Sequence, residues 1–271
     1  WFGIGLVGAA EVPLNTAYRG NTLSHGLNLS GAKVVVTESA FLSRIAEVEH
    51  ELTSLQSVVT FDDVPDTSPF TRIQLRPFAE VPAADVELPE DITCRDLAAV
   101  VLTSGTTGPS KGVMMPQGQV FVMGRQTAED HRVMPEDVVY FCHTLYHSTK
   151  FMSVVAAIIA GCQLVVDEAF IPGHWAARVR ETRATYTIAH GPMIDLVCSG
   201  PTSKADRETA LRVVISGGST PDLQQRFFDQ FGVEVTEGFG MTEIGILTRT
   251  PPMADNPYGS CGRPPLRGPC R

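Results

Sequence analysis

Short apolar runs rich in β-branched residues alternate along the chain with segments in which apolar residues recur at helical spacing. The apolar runs predict strands at 33–37, 58–61, 98–103, 164–166, 186–189, 211–215 and 233–236. The helical spacing predicts helices at 40–52, 175–182, 193–199 and 222–231. A longer apolar stretch, 151–166, predicts a buried helix that turns into a strand at Gly161.

This alternation indicates an α/β fold with parallel sheets sandwiched by helices, because strands buried on both faces are nearly continuous apolar runs. The segment 62–91 interrupts the pattern with many prolines and acidic residues, and we expect it to run over the surface. Ligands of such sheets bind at the carboxyl ends of the strands. The loops that follow the predicted strands are therefore the first candidates for chemistry.

Length and composition limit the class of protein. The chain has 271 residues, close to the size of about 250–300 residues at which single cores stop growing. One domain over 1–271 and two lobes, 1–97 and 98–271, both suit this length. With 43% hydrophobic and 19% charged residues, the chain is not of the intrinsically disordered class.

Charge and cysteine usage limit the partners. The formal net charge of −9 argues against nucleic acid and anionic membranes, which both need a basic surface. A phosphate-bearing ligand must then be held by a local device such as backbone amides. The stretch 151–166 is shorter than the ~20 residues that span a bilayer, so we expect no membrane span. Six cysteines without a CxxC pair indicate reduced thiols in the cytoplasm.

The predicted strand 98–103 opens into a loop rich in glycine and hydroxyl side chains, which ends at Lys111. Its glycines let consecutive amides turn inward, and the hydroxyls and the lysine add donors and positive charge, as phosphate oxygens require. The loop is not a Walker P-loop, because Ser110 precedes the lysine and Gly112 follows it. The alternative is an ordinary surface turn.

A second motif, 237–243, follows the predicted strand 233–236. Phe239 lies between two glycines and could stack on a planar base, while Glu243 offers the hard oxygen ligand that Mg²⁺ prefers. The alternative for Phe239 is an aromatic side chain that fills a gap in the core. Upstream, the turn 216–221 could also be a simple strand-to-helix connection in which Ser219 or Thr220 caps a helix that begins at Pro221.

Two histidines, His143 and His147, have the i, i+4 spacing of a metal pair on a helix. No acidic residue lies between them and no third ligand is evident, which argues against zinc. The plainer alternative is a half-buried histidine with satisfied hydrogen bonds.

Together these segments resemble the adenylate-forming, or AMP-binding, superfamily, which includes acyl-CoA synthetases, adenylation domains of nonribosomal peptide synthesis and luciferases. The loop is similar to the family's phosphate loop, which holds the β- and γ-phosphates of ATP and the departing pyrophosphate. The resemblance assigns this role, with Lys111 also catalytic, to Thr103, Ser104, Gly105, Thr106, Thr107, Gly108 and Lys111.

The second motif resembles the family's aromatic-Gly-x-Thr-Glu signature. The resemblance implies that Phe239 stacks on adenine, that Thr242 contacts the α-phosphate and that Glu243 binds Mg²⁺, the last two being catalytic. Many relatives have tyrosine where this chain has Phe239, so a contact from a phenol hydroxyl is lost. Other residues implied at the nucleotide are Gly217, Gly218, Ser219, Glu237, Gly238 and Gly240. The segment 141–147 resembles the one that places a histidine, here His147, beside the carboxylate substrate.

The resemblance implies an acyl-CoA ligase of the fatty-acid or carnitine-related kind. A small-molecule carboxylate attacks ATP to give acyl-AMP and pyrophosphate, and the thiol of CoA then displaces AMP. ATP, Mg²⁺ and CoA are the implied cofactors and co-substrates. Nothing in the sequence specifies an oligomeric state.

The resemblance runs through most of the chain, but three family features have no counterpart. No Thr-Gly-Asp segment follows 260–264, and neither a hinge nor the small C-terminal domain with its lysine is evident; the start of the N-terminal domain is also absent. Lys33, Lys150 and Lys204 lie in unrelated contexts and do not replace that lysine. We therefore expect a partial N-terminal domain that binds ATP weakly and turns over little. The alternatives are a catalytically incomplete nucleotide- or acyl-binding module and a remnant that binds nothing.

Overall fold

The computed structural model describes residues 1–62, 64–81, 88–103, 108–250 and 259–264. The chain divides into two compact units, 1–117 and 118–271. The sequence suggested a lobe boundary at 97/98. The division lies later because the strand that begins at Leu97 pairs with the strand that ends at Pro116, which keeps both strands in the first unit.

The first unit contains a small parallel sheet and a hairpin. Its helices are α1 (Phe2–Leu6), α2 (Gly20–Ser30) and α3 (Leu42–Glu47). Strands β1 (Val34–Thr37), β2 (Ser57–Thr60) and β3 (Gln74–Pro77) pair in parallel in that order. Strands β4 (Leu97–Thr103) and β5 (Lys111–Pro116) form an antiparallel pair, so the apolar run at 98–103 belongs to a hairpin and not to a parallel sheet.

Two predictions for this unit need correction. The predicted helix 40–52 is only α3, flanked by 3₁₀ turns at Ser39–Phe41 and Glu49–Glu51, because the backbone of Val48 (φ −106°, ψ 6°) departs from α-helical geometry. The segment 62–91 contains β3, a strand too short and too polar to be recognised from its pattern. Residues 63 and 82–87 of that segment lie outside the described residues.

The carboxylate of Glu49 organises the loop before β3. It accepts hydrogen bonds from the backbone N–H groups of Thr71 (2.9 Å), Arg72 (2.8 Å) and Ile73 (2.8 Å), and from the Thr71 hydroxyl at 2.9 Å. Burial disfavours the charged form, but these donors outweigh it and lower the pKa of Glu49 to about 2. The anion therefore holds the loop against the core of the unit.

The second unit is built on a six-stranded sheet. Its helices are α4 (Gln117–Asp130), which begins at the unit boundary, α5 (Thr149–Ala160), α6 (Pro172–Glu181), α7 (Gly191–Cys198) and α8 (Pro221–Phe231). Its strands are β6 (Val138–Phe141), β7 (Gln163–Val166), β8 (Tyr186–Ile188), β9 (Val213–Ser216), β10 (Val235–Met241) and β11 (Gly245–Arg249). The strand order is β11-β10-β9-β8-β6-β7, parallel except for the antiparallel β11.

Most predicted elements of this unit are confirmed. The stretch 151–166 is α5 followed by β7, and Gly161 makes the turn with φ of +68°. Thr220 caps α8 by accepting a hydrogen bond from the N–H of Leu223. β6 was not predicted, although its four residues are all β-branched or aromatic and favour a strand. The strand predicted at 233–236 continues to Met241, where β11 pairs with it.

The α/β prediction is confirmed, with helices α6, α7 and α8 on the core that surrounds Trp175, Phe227 and Phe231. The chain leaves β6 for β7 on one side and returns to β8 on the other. The carboxyl ends of β6 and β8 therefore flank a topological switch point, where α/β sheets open a crevice. In the portion of the chain described above, no helix has the length and apolarity to cross a membrane.

Replacing Glu49 by glutamine should destabilise the first unit by about 2 kcal/mol at neutral pH, because an amide N–H₂ would face backbone donors. The pKa of Glu49 is lower in the folded state than its ordinary value of 4.5. Its stabilisation is therefore complete above about pH 4.5 and is lost as the pH falls toward 2. Urea unfolding at several pH values measures both effects, with the exposed Glu47→Gln as control. An unchanged stability of Glu49→Gln would contradict this account.

Candidate active site

The hairpin of the first unit fixes both ends of the phosphate-loop segment. Thr103 and Lys111 are paired across β4 and β5, and the imidazole Nε2 of His25 lies 2.7 Å from the carbonyl oxygen of Ser110. Gly108 has φ of +98°, which favours glycine at that position. The side chain of Lys111 is exposed and forms no ion pair with the described residues. Ser104, Gly105, Thr106 and Thr107, predicted as phosphate ligands, lie outside the described residues.

In the second unit, Glu237 holds the glycine-rich turn that follows β9. Its carboxylate accepts hydrogen bonds from the N–H of Gly218 (2.5 Å), from the N–H of Ser219 (3.3 Å) and from the Ser219 hydroxyl. The side-chain amide of Gln224 donates to the Ser219 Oγ at 3.0 Å. Glu237 is therefore buried as a clamp between β10 and the turn, a role that its place in the motif does not reveal.

The turn also depends on a close approach by α7. A Cβ atom on Gly191 would lie 2.3 Å from the carbonyl oxygen of Gly218, so only glycine fits at the start of this helix. Gly218 itself has φ of +79°. Gly217 and Gly218 thus present backbone, without side chains, to the space beside the turn.

The segment 239–243 comprises the end of β10 and the start of the tight connection to β11. Phe239 is 51% exposed, so its ring is available to a ligand and does not fill the core. The register between β10 and β11 shifts after Phe239, where Leu247 is the extra residue of a bulge. Gly240 passes so close to the Gly245 carbonyl oxygen that a Cβ atom would lie 2.5 Å from it.

Thr242 is held from two sides. Its carbonyl oxygen accepts a hydrogen bond from the side-chain amide of Gln119 at 2.8 Å, and its hydroxyl lies 3.2 Å from that of Ser148. Glu243 is exposed and makes no hydrogen bond or ion pair with any described part of the chain. A carboxylate that is free in this way fits Mg²⁺, which binds one or two protein carboxylates together with substrate phosphates.

Three histidines meet at the switch point. The ring centroid of His190 lies 5.0 Å from that of His143 and 6.1 Å from that of His147. His143 and His147 belong to a loop and not to a helix, so their i, i+4 spacing does not place them on one helical face. Across the described ranges, no three His, Cys, Asp or Glu side chains are arranged to hold a metal ion.

Burial keeps these imidazoles neutral. It lowers the pKa of His143 and of His147, and it lowers the pKa of His190 to about 4 with help from the two neighbouring rings. His147 Nδ1 accepts a hydrogen bond from the N–H of Thr149 at 3.2 Å. The neutral ring therefore carries its proton on Nε2, which can donate to a ligand. Sequence analysis did not select His190, although its position two residues after the end of β8 is a signal.

A cavity of about 220 Å³ opens beside these groups, entirely within the second unit. Its lining includes His147, His190, Gly217, Phe239 and Thr242 at the carboxyl ends of the strands. Apolar side chains of α4, α5 and the sheet form its walls, namely Met123, Met152, Ile188, Ile215 and Ile246. Six of the predicted nucleotide residues line this cavity together with His147, namely Gly217, Glu237, Gly238, Phe239, Gly240 and Thr242. Gly218 and Ser219 are not part of the lining and contact the cavity wall through Glu237.

A family model described as "AMP-binding enzyme" matches residues 1–268. The chain belongs to the AMP-binding enzyme family. This confirms the family resemblance of the sequence motifs. The roles of individual residues stay predictions.

Relatives within the family include the steroid-22-oyl-CoA synthetase of Rhodococcus jostii (strain RHA1), which is 28% identical over 97% of this chain and 45% of that protein. The medium/long-chain-fatty-acid–CoA ligase FadD17 of Mycobacterium tuberculosis is 30% identical over 97% of this chain and 48% of its own length. The structure of ATP-bound MatB from Rhodopseudomonas palustris has a TM-score of 0.79 at 24% identity, and covers 96% of this chain and 50% of that chain. The chain thus spans about half the length of the curated relatives it matches.

The close approach at Gly191 gives a test of the turn. Gly191→Ala should destabilise the second unit by about 1–3 kcal/mol, because the added methyl group collides with the Gly218 carbonyl oxygen. Gly173→Ala, also near the start of a helix but with nothing within 4 Å of the new Cβ atom, should be neutral or stabilising. Thermal unfolding of both variants measures the difference. Equal effects of the two substitutions would contradict the proposed packing.

Proposed function

We infer that this chain is the nucleotide- and acyl-binding part of an AMP-forming acid–thiol ligase. Such an enzyme uses ATP to convert a carboxylic acid into acyl-AMP and pyrophosphate, and then transfers the acyl group to CoA. The observation that carries the proposal is the meeting of the Glu237-clamped turn, the exposed ring of Phe239, Thr242 and His147 at one cavity. The relatives named as CoA ligases support the same reaction.

The second unit would bind the adenylate. The exposed ring of Phe239 offers a face on which adenine can stack, while Gly217 in the cavity lining lets the backbone approach the base without a side chain. The hydroxyl of Thr242, held near Ser148, would donate to the α-phosphate. Because these groups are fixed before the ligand binds, they stabilise developing charge without reorganisation.

The first unit would contribute the β- and γ-phosphate contacts through the loop 103–111. The exposed ammonium of Lys111 and the loop hydroxyls and amides would neutralise the departing pyrophosphate. Glu243 would hold Mg²⁺, which supplies charge neutralisation on the phosphates. The acidic chain, with a net charge of −9, relies on such local groups to hold an anion.

The reacting carboxylate would lie beside His147. The Nε2–H of the neutral imidazole can donate to one carboxylate oxygen and leave the other free to attack phosphorus. The buried histidines lie beside the apolar walls of the cavity, which exclude water from acyl-AMP. The described cysteines are all free thiols, in keeping with the cytoplasmic location that we propose.

Calorimetry with ATP and Mg²⁺, and with a non-hydrolysable acyl-sulfamoyl adenosine, tests the proposal on the 271-residue chain. Phe239→Ala should weaken binding of both ligands about tenfold through lost stacking, and Lys111→Ala should weaken ATP but not the analogue, which has no β- or γ-phosphate. Carboxylate-dependent exchange of pyrophosphate into ATP distinguishes a ligase from a module that only binds.

Matched controls are available in both units. Phe121→Ala removes an aromatic ring of nearly equal exposure, 50%, that does not line the cavity, and Lys33→Ala removes an exposed lysine outside the loop. Neither control should change affinity. If the unaltered chain binds neither ligand, or if Phe239→Ala binds as tightly as the unaltered chain, the proposed function is wrong.

A further inference from the structure

Arg249 contributes a buried guanidinium to the cavity of the second unit. It ends β11 opposite Gly238, is 4% exposed and forms part of the lining. Its Nη1 lies 2.5 Å from Asp130 Oδ2 and donates to the carbonyl oxygen of Gln126 at 3.2 Å. One end of the guanidinium is therefore fixed to α4.

The other edge of the guanidinium is unpaired. Nε and Nη2 are both buried and have no hydrogen-bond partner among the residues that the structure describes. A buried donor without a partner is unfavourable, and more so when the group is charged. These two buried donors therefore lower the stability of the fold unless a ligand binds them.

Two other arginines of the same unit show what this edge binds. Arg178 uses Nε and Nη2 to bind the carboxylate of Asp167 at 2.9 and 2.8 Å. Arg212 uses the same two nitrogens for the carboxylate of Asp137. This fork matches two coplanar oxygens, as a carboxylate presents them.

The neighbours of Arg249 are polar as well. His131 also lines the cavity, is fully buried, and its Nδ1 has no partner in the described ranges. Burial, with the charges of Arg249 and Arg212, lowers the pKa of His131 to about 3, so the ring is neutral. The hydroxyl of Tyr186, whose ring centroid lies 6.1 Å from that of His131, is likewise buried and unpaired among the described residues.

The charged side chains around this group leave room for an anion. The carboxylate of Glu237 is already bound by the glycine-rich turn. Asp130 contacts Nη1, keeps a partly exposed side chain, and has a pKa raised first by burial. Asp130 can therefore stay solvated or take up a proton when a second anion approaches Arg249.

We propose that Arg249, with His131 beside it, binds a second carboxylate of the acyl substrate, which makes the substrate a dicarboxylic acid. This inference rests on the proposed function, because it takes the cavity as the acyl site. The apolar walls contact the hydrocarbon part of the substrate between its two carboxylates. The Nε and Nη2 edge of Arg249 binds the carboxylate at the far end. An unsubstituted fatty acid would leave this charged edge buried without a partner.

The experiment compares acyl-sulfamoyl adenosines across a series of chain lengths, each with a terminal carboxylate, a terminal carboxamide or an unsubstituted end. At the best length, calorimetry should show that the unaltered chain binds the carboxylate form about tenfold more tightly than the other two. Arg249→Lys keeps a cation for Asp130 but lacks the fork, and should abolish this preference while affinity for the unsubstituted form changes less than about twofold. Arg178→Lys, which removes the same fork from an arginine that is not part of the lining, should leave the preference intact.

The outcomes separate the two proposals. If the unsubstituted or carboxamide form binds the unaltered chain as tightly as the carboxylate form at every length, the dicarboxylate assignment is wrong while the proposed function stands. The same holds if Arg249→Lys keeps the preference. If no analogue binds, the proposed function fails and the inference fails with it. The preference of the unaltered chain decides the question even if Arg249→Lys does not fold.

Discussion

The buried carboxylate of Glu237 is the contact on which the candidate site depends. It belongs to β10, yet its hydrogen bonds go to the turn after β9, so one side chain fixes the separation of the two strand ends. Burying a carboxylate is unfavourable unless donors surround it, and here the turn supplies them. The backbone of Phe239, two residues further along β10, is positioned as a result.

Neutral imidazoles lie at the cavity, since His147 and His190 line it and His143 packs against His190. Three imidazoles lie where the strands diverge, and burial keeps them uncharged at physiological pH. Hydrogen bonds from such neutral groups orient an anion but bind it less tightly than a positively charged group would. Positive charge is instead found at Lys111, in the first unit, and at Arg249, where a partner carboxylate already lies on one side.

The sequence predicted the features whose causes are local. Gly161 and Thr220 identify the ends of helices because a positive φ and a capping hydroxyl act within a few residues. The motif residues around Phe239 could be recognised because they are consecutive in the sequence, at 237–243. The partners of Glu237 and the cluster around His190 could not be predicted, because those contacts join residues far apart in the chain. The hydrogen bonds of Glu49 could not be predicted for the same reason, since the loop that it binds lies more than 20 residues away.

The bulge in β11 has a consequence for how this pocket can change. Side chains two apart share a face in a regular strand, so Ile246 and Arg249, three apart, would normally point to opposite sides of the sheet. The extra residue, Leu247, restores the alternation, and both residues line the cavity. Loss of Leu247 would leave Ile246 and Arg249 two apart in a regular strand, so both would still face the cavity while the local twist of β11 decreased. The length of β11 can therefore change by one residue at the bulge without altering which of these side chains line the pocket, and a one-residue gap at this place in an alignment does not by itself indicate a different pocket.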